Sequence, residues 1–158
     1  MVKKVLLVRH GNYSGDDLTD DGFKASQKLA ERLRVVLAEH VGKIAVVSSA
    51  TPRARQTAEI IEIGLKTGRL EFRDEISDTW RVDEITDGAS GLYTEKLTNG
   101  VDEMVDVVIV VTHDPFIREF MAIFRREFER GPNQAFVDYA SAVVCNRELK
   151  TIGLLTVE

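Results

Sequence analysis

Three short apolar runs, each ending in polar residues of unusual chemistry, constrain this chain most. They occupy residues 5–8, 44–47 and 107–111. Continuous apolar runs of this length suit strands buried on both faces. A helix start follows each one. Thr19 precedes Asp20 and Asp21, acids that suit the positive end of a helix dipole. Thr51-Pro52 and Asp114-Pro115 each pair an N-cap with proline at the first helical position. Apolar residues then recur at helical spacing: Leu29, Leu33, Val36 and Leu37, then Ala54, Ala58, Ile61 and Leu65. The third set is Ile117, Phe120, Met121, Phe124 and Phe128. His40 and Gly42 read as a helix C-terminus, and Arg130-Gly131-Pro132 closes the third helix. Residues 70–72 suggest a short strand, and 136–144 and 151–157 two last strands joined by a polar turn. The alternation predicts an α/β fold: a doubly wound, mostly parallel sheet with helices on both faces and an antiparallel edge.

Composition removes several classes. Apolar residues at 44% and charged residues at 30% exclude disorder as the main state. The single cysteine, Cys145, excludes a disulfide scaffold and reads as a packing residue of an edge strand. The run 107–111 falls far short of the roughly 20 residues of a membrane span. A net charge of −5 argues against a general nucleic-acid binder but leaves anionic small substrates open. The apolar run at 5–8 is too short for a signal peptide, so a cytoplasmic protein is expected. The chain of 158 residues reads as one domain. Residues 74–104 form an acidic, weakly periodic excursion near the site, with Trp80 packing it or lining the pocket.

In open α/β sheets the site lies beyond the carboxyl ends of the strands. That rule selects Arg9-His10-Gly11, residues 48–53 and His113-Asp114. Arg9 ends a buried strand and must reach outward, because a guanidinium cannot remain unpaired in a core. Gly11 removes a side chain where a ligand would approach the backbone. Arg53 and Arg55 fall near a helix N-terminus, where cations are unfavourable and an anion compensates. Residues two apart on a helix diverge, so at most one of them faces the site. If the strands carrying His10 and His113 are neighbours, a spacing of about 4.8 Å lets both rings meet one ligand.

These residues resemble the histidine phosphatase superfamily, the phosphoglycerate mutase-like fold. Leu7-Val8-Arg9-His10-Gly11 is similar to its Arg-His-Gly signature. Leu18-Thr19 with Gly22 is similar to its next element. Arg53-Ala54-Arg55-Gln56-Thr57-Ala58 resembles its Arg-Ala-x-x-Thr-Ala element, and Val110-Val111-Thr112-His113 the strand that delivers the second histidine. The resemblance implies that His10 is the nucleophile, and that Arg9, Arg53 and His113 bind the phosphate. Arg55 would then be a helix-surface residue. The family acid follows the second arginine motif by about 20 residues. Glu75 matches best, with Asp74, Glu84 and Asp114 as competitors.

The reaction implied has two steps: His10 attacks phosphorus, and water then hydrolyses the phosphohistidine. It calls for no metal and no other cofactor. Asn12-Tyr13 replaces the Glu-Ser/Thr usual in mutases, and Asp114-Pro115 replaces Gly-Gly after the second histidine. Together with the short length, this resembles the small phosphohistidine phosphatase branch. The expected partner is therefore a phosphorylated protein, or else a small phosphorylated substrate, with neither nucleic acid nor membrane. A broad phosphomonoesterase or phosphoglycerate mutase-type enzyme is one alternative. A catalytically weak phosphate- or phosphoprotein-binding module is another.

Overall fold

The structure is a computed structural model. It describes residues 2–40, 43–74, 76, 105–127, 137–146, 148–149 and 151–157, with backbone only for 123–127. Several sequence expectations lie outside the described residues. These are Gly42, Glu75, Trp80, Glu84, nearly all of the 74–104 excursion, the Phe124 and Phe128 side chains, the 130–132 helix end and Phe136.

The chain runs β1 (Lys4–Arg9), β2 (Tyr13–Ser14), β3 (Asp17–Leu18), α1 (Asp20–Val36) and β4 (Ile44–Ser49). It continues with α2 (Pro52–Leu65), β5 (Leu70–Arg73), β6 (Val107–Thr112), α3 (Asp114–Glu127), β7 (Ala142–Asn146) and β8 (Thr151–Leu155). Six strands form one sheet in the order β5-β4-β6-β1-β7-β8. The first four are mutually parallel, β7 pairs antiparallel with β1, and β8 pairs antiparallel with β7.

The period of 2 along the central strands explains why both faces are covered. Leu6, Val8, Ile109 and Val111 face one core, shared with Leu29 and Leu33 of α1 and Ala58 and Ile61 of α2. Val5, Leu7, Val108 and Val110 face the other, shared with Phe116, Ile117 and Phe120 of α3. Every residue of β4 and β6 is buried, as the unbroken apolar runs require. Among the described residues, no helix is long and apolar enough to cross a membrane.

Local signals act mostly as expected. The Thr19 hydroxyl accepts from Gly22 N–H at 3.0 Å and caps α1. Pro52 opens α2 behind Thr51. The third helix begins one residue earlier than expected, so Asp114 is inside it and pairs with Arg118 at 2.7 Å. His40 does not cap α1, whose C-cap is Leu37. Its ring instead sits 3.5 Å from the Asp106 carboxylate and 3.4 Å from Lys4 Nζ, tying a 3-10 turn to the start of the sheet. Cys145 is buried, but β7 is not an edge strand, because β8 covers it. The described β7 starts only at Ala142, since residues 137–141 turn to pass the end of β1.

Candidate active site

The registers of β1 and β6 determine the site. Arg9 pairs with Thr112, so His10 and His113 leave adjacent parallel strands at the same level. Their ring centroids lie 5.0 Å apart, and both side chains are buried. The hydrogen bond from His10 N–H to the Thr112 carbonyl, 3.1 Å, extends the ladder one step past the strand and holds this register.

His10 Nδ1 lies 2.8 Å from the Gly11 carbonyl oxygen. A carbonyl only accepts, so Nδ1 carries the proton and Nε2 keeps its lone pair in the neutral ring. Arg53 Nε points at that atom and donates to Nε2 at 3.3 Å. Arg53 stands in the first turn of α2, which contains no acid. The helix N-terminus and the guanidinium therefore present positive charge together. Thr57, one turn further on, locks the arrangement. Its hydroxyl accepts from Gly11 N–H at 3.0 Å and donates to the Arg53 carbonyl at 2.9 Å.

His113 Nε2 lies 3.0 Å from Ser49 Oγ and 3.3 Å from Thr51 Oγ1. Thr51 occupies the N-cap position of α2, yet its side chain makes no capping bond. Its hydroxyl orients the second histidine instead. Arg55 points away from the site and stacks over Phe72 at 4.1 Å, as the divergence of Arg53 and Arg55 requires.

Arg9 reaches the site by a different route. Its Nη1 donates to the Val137 carbonyl at 2.9 Å, and its guanidinium lies 4.0 Å over the Tyr139 ring. Arg53 stacks at 4.5 Å over Tyr13. Both tyrosines touch His10, with ring centroids at 5.2 Å for Tyr13 and 5.8 Å for Tyr139. Neither had been singled out as a site residue. Tyr139 is delivered by Ala140, which holds a left-handed φ of +49°. The Ala140 N–H lies 3.1 Å from the Arg9 carbonyl and 3.3 Å from that of His10, which fixes this conformation. The only sequence signal for Tyr13 was its place three residues after the histidine, and Tyr139 had none.

Gly11 has a reason other than the one expected. A Cβ there would lie 2.7 Å from the Gly22 carbonyl oxygen and 2.8 Å from Ser26 Oγ. The missing side chain lets the loop pack on the first turn of α1, rather than admitting a ligand. Gly22 answers it, since a Cβ there would meet the Asn12 carbonyl oxygen at 2.1 Å.

The described residues thus bring Arg53, His10 and His113 together, with Arg9 adjoining through Tyr139. Among the acids considered, Asp74 is exposed at the end of β5 and Asp114 is engaged by Arg118. Burial pushes the Cys145 thiol up to about 12 and leaves it no part in this chemistry.

Residues 5–81 match the model of the histidine phosphatase superfamily, branch 1. That stretch holds Arg9, His10, Arg53 and Thr57. His113 lies beyond it and joins them through strand pairing. No curated protein matches the chain by sequence. Among solved structures, a proposed phosphohistidine phosphatase, SixA, from Agrobacterium tumefaciens is similar at a TM-score of 0.66 and 14% identity. The match covers 100% of this chain and 97% of that one. Phosphoglycerate mutase from Plasmodium falciparum is similar at 0.62 and 21% identity, over 96% and 87% of the two chains. A proposed phosphohistidine phosphatase, SixA, from Nakamurella multipartitia is similar at 0.60 and 23% identity, over 90% and 83%. These likenesses show the phosphoglycerate mutase-like fold, and about half of the chain, residues 5–81, resembles the histidine phosphatase superfamily.

Proposed function

We propose that the protein is a phosphatase that works through a phosphohistidine at His10 and acts on phosphohistidine in a protein. One observation carries this reading: the Nε2 lone pair of His10 is directed at Arg53 beside a second histidine at the strand ends. In the first step His10 Nε2 attacks phosphorus in line, a P–N bond to His10 forms, and the bond to the leaving group breaks. An acid returns a proton to the leaving group, and Glu75 is the residue proposed for this. In the second step water attacks, the His10–phosphorus bond breaks, the same carboxylate takes the water proton, and phosphate leaves. Arg9, Arg53 and His113 neutralise charge on the equatorial oxygens. The reaction so written calls on no metal.

One feature supports phosphohistidine over a sugar or glycerate phosphate. Tyr13 and Tyr139 give the mouth of the site aromatic walls, which suit a flat imidazole leaving group. The test compares kcat/KM on a phosphohistidine protein with that on 3-phosphoglycerate and sugar phosphates. The reading expects the protein substrate to lead, and preference for the small molecules would replace it with the phosphomonoesterase reading.

A further inference from the structure

We infer that a groove between α1 and α2 docks a cationic amphipathic segment of the phosphorylated protein, beside the residue being dephosphorylated. This rests on the reading of a protein substrate. The groove has a volume of about 720 Å³ and is separate from the His10 site. Leu18, Phe23, Ile60 and Ile63 supply its apolar surface. Phe23 is 48% exposed and Ile63 74% exposed, although both belong to amphipathic helices whose other faces fill the core. Ala30 and Gly64 form a close crossing, since a Cβ on Gly64 would lie 2.9 Å from that of Ala30.

Position ties the groove to the chemistry. Arg53, Gln56, Ile60 and Ile63 follow one another at helical spacing along one stripe of α2. At 1.5 Å per residue the stripe extends about 15 Å from the guanidinium beside His10. Gln56 joins the two regions. Its side chain accepts from Leu18 N–H at 2.8 Å and donates to Asp17 at 2.7 Å. A segment seated in the groove therefore ends at the phosphate site.

Charge selects the occupant. Asp17, Asp20, Glu31 and Glu59 line the groove, against the single base Arg34. A second copy of this chain, with its net charge of −5, would set carboxylate against carboxylate on this face. An anionic lipid surface is repelled for the same reason. A partner helix with leucine-like residues on one side and lysines flanking them satisfies both the apolar floor and the acidic rim.

The test uses the full chain and two labelled peptides of about 12 residues, enough to span the groove as a helix. One alternates Lys with Leu at helical spacing, and the other carries Glu in place of Lys. Fluorescence anisotropy is expected to show the Lys peptide binding at least about tenfold more tightly. Ile63→Asp and Glu59→Lys should each weaken it by about fivefold to tenfold, while turnover of p-nitrophenyl phosphate stays at the wild-type rate. Phe23→Asp provides a second variant on the opposite wall. Equal binding of both peptides, or wild-type binding of the Lys peptide by Ile63→Asp and Phe23→Asp, overturns the inference. A phosphohistidine added to each peptide separates the two readings. Tight binding of the Lys peptide without dephosphorylation contradicts the substrate reading and leaves the groove standing.

Discussion

Arg53 Nε donates to His10 Nε2 at 3.3 Å, so the atom assigned as the nucleophile is already engaged by the guanidinium assigned to the phosphate. Binding of a phosphoryl group must turn Arg53 from the ring to the equatorial oxygens. Arg53→Ala should therefore lower kcat/KM by about 10²–10³, the range found when one transition-state donor is lost. Arg53→Lys should recover little, because an ammonium cannot present the planar fork. Arg55→Ala is the control, since Arg55 stacks on Phe72 outside the site, and its activity should remain within about twofold of wild type. Steady-state kinetics on p-nitrophenyl phosphate checks all three. Equal losses from both arginines would contradict the assignment.

Thr57 couples the loop after His10 to the helix that carries Arg53 through one hydroxyl. Thr57→Val leaves the buried Gly11 N–H without a partner, at a cost of about 1–3 kcal/mol. Thermal unfolding should show that loss, and kcat should fall with it because His10 and Arg53 lose their common tether. Thr57→Ser keeps the hydroxyl and should retain most of both. A valine variant with unchanged kcat would separate the tether from the chemistry.

Gly11 and Gly22 interlock the loop and α1. Gly22→Ala drives a Cβ into backbone, which cannot rotate away, so the loop must shift. A destabilisation of about 1–3 kcal/mol is expected from such overpacking. Gly15→Ala has open space around it but keeps a φ of +63°, and its cost should be the left-handed penalty alone, about 1 kcal/mol. Denaturant unfolding of the two variants gives the comparison, and a Gly22→Ala variant as stable as wild type would refute the close packing.

Tyr13 and Tyr139 stack on the two arginines and flank His10. Tyr139→Phe preserves the ring and should be nearly silent. Tyr139→Leu removes a cation–π contact of about 0.5–2 kcal/mol and one aromatic wall. Its kcat/KM should fall further on an aryl phosphate or phosphoimidazole than on glycerol phosphate. Equal losses on both substrates would mean that the ring serves only to hold Arg9.

The Cys145 thiol, raised to about 12 by burial in β7, is protonated at neutral and mildly alkaline pH. In native protein at pH 8 it should react with a disulfide reagent far more slowly than a free thiol, and at the ordinary rate once unfolded. Fast native labelling would show that β7 and β8 open readily.

Much of this architecture was legible because buried parallel strands and capped helices write strong local signals. The runs ending at Arg9, Ser49 and Thr112 announced three strand ends; helical geometry allowed only one of Arg53 and Arg55 to face the site, and the family resemblance chose Arg53. The meeting of His10 and His113 was conditional, since sequence does not state that β6 inserts between β4 and β1. Tyr139 was hidden because it depends on a left-handed alanine and on backbone bonds to a strand 130 residues away. Thr51 showed the signature of a cap, and its diversion to His113 needed the third dimension. Gly11 was read as clearing space for a ligand, whereas the space it vacates is taken by Gly22 and Ser26 of α1.

Trapping the intermediate tests the central claim most directly. Enzyme mixed with a ³²P-labelled substrate and quenched within its first turnovers should carry acid-labile, base-stable label, and digestion should place that label on the peptide containing His10. His10→Ala should carry none. Label on another residue, or turnover that persists in His10→Ala, would contradict the account.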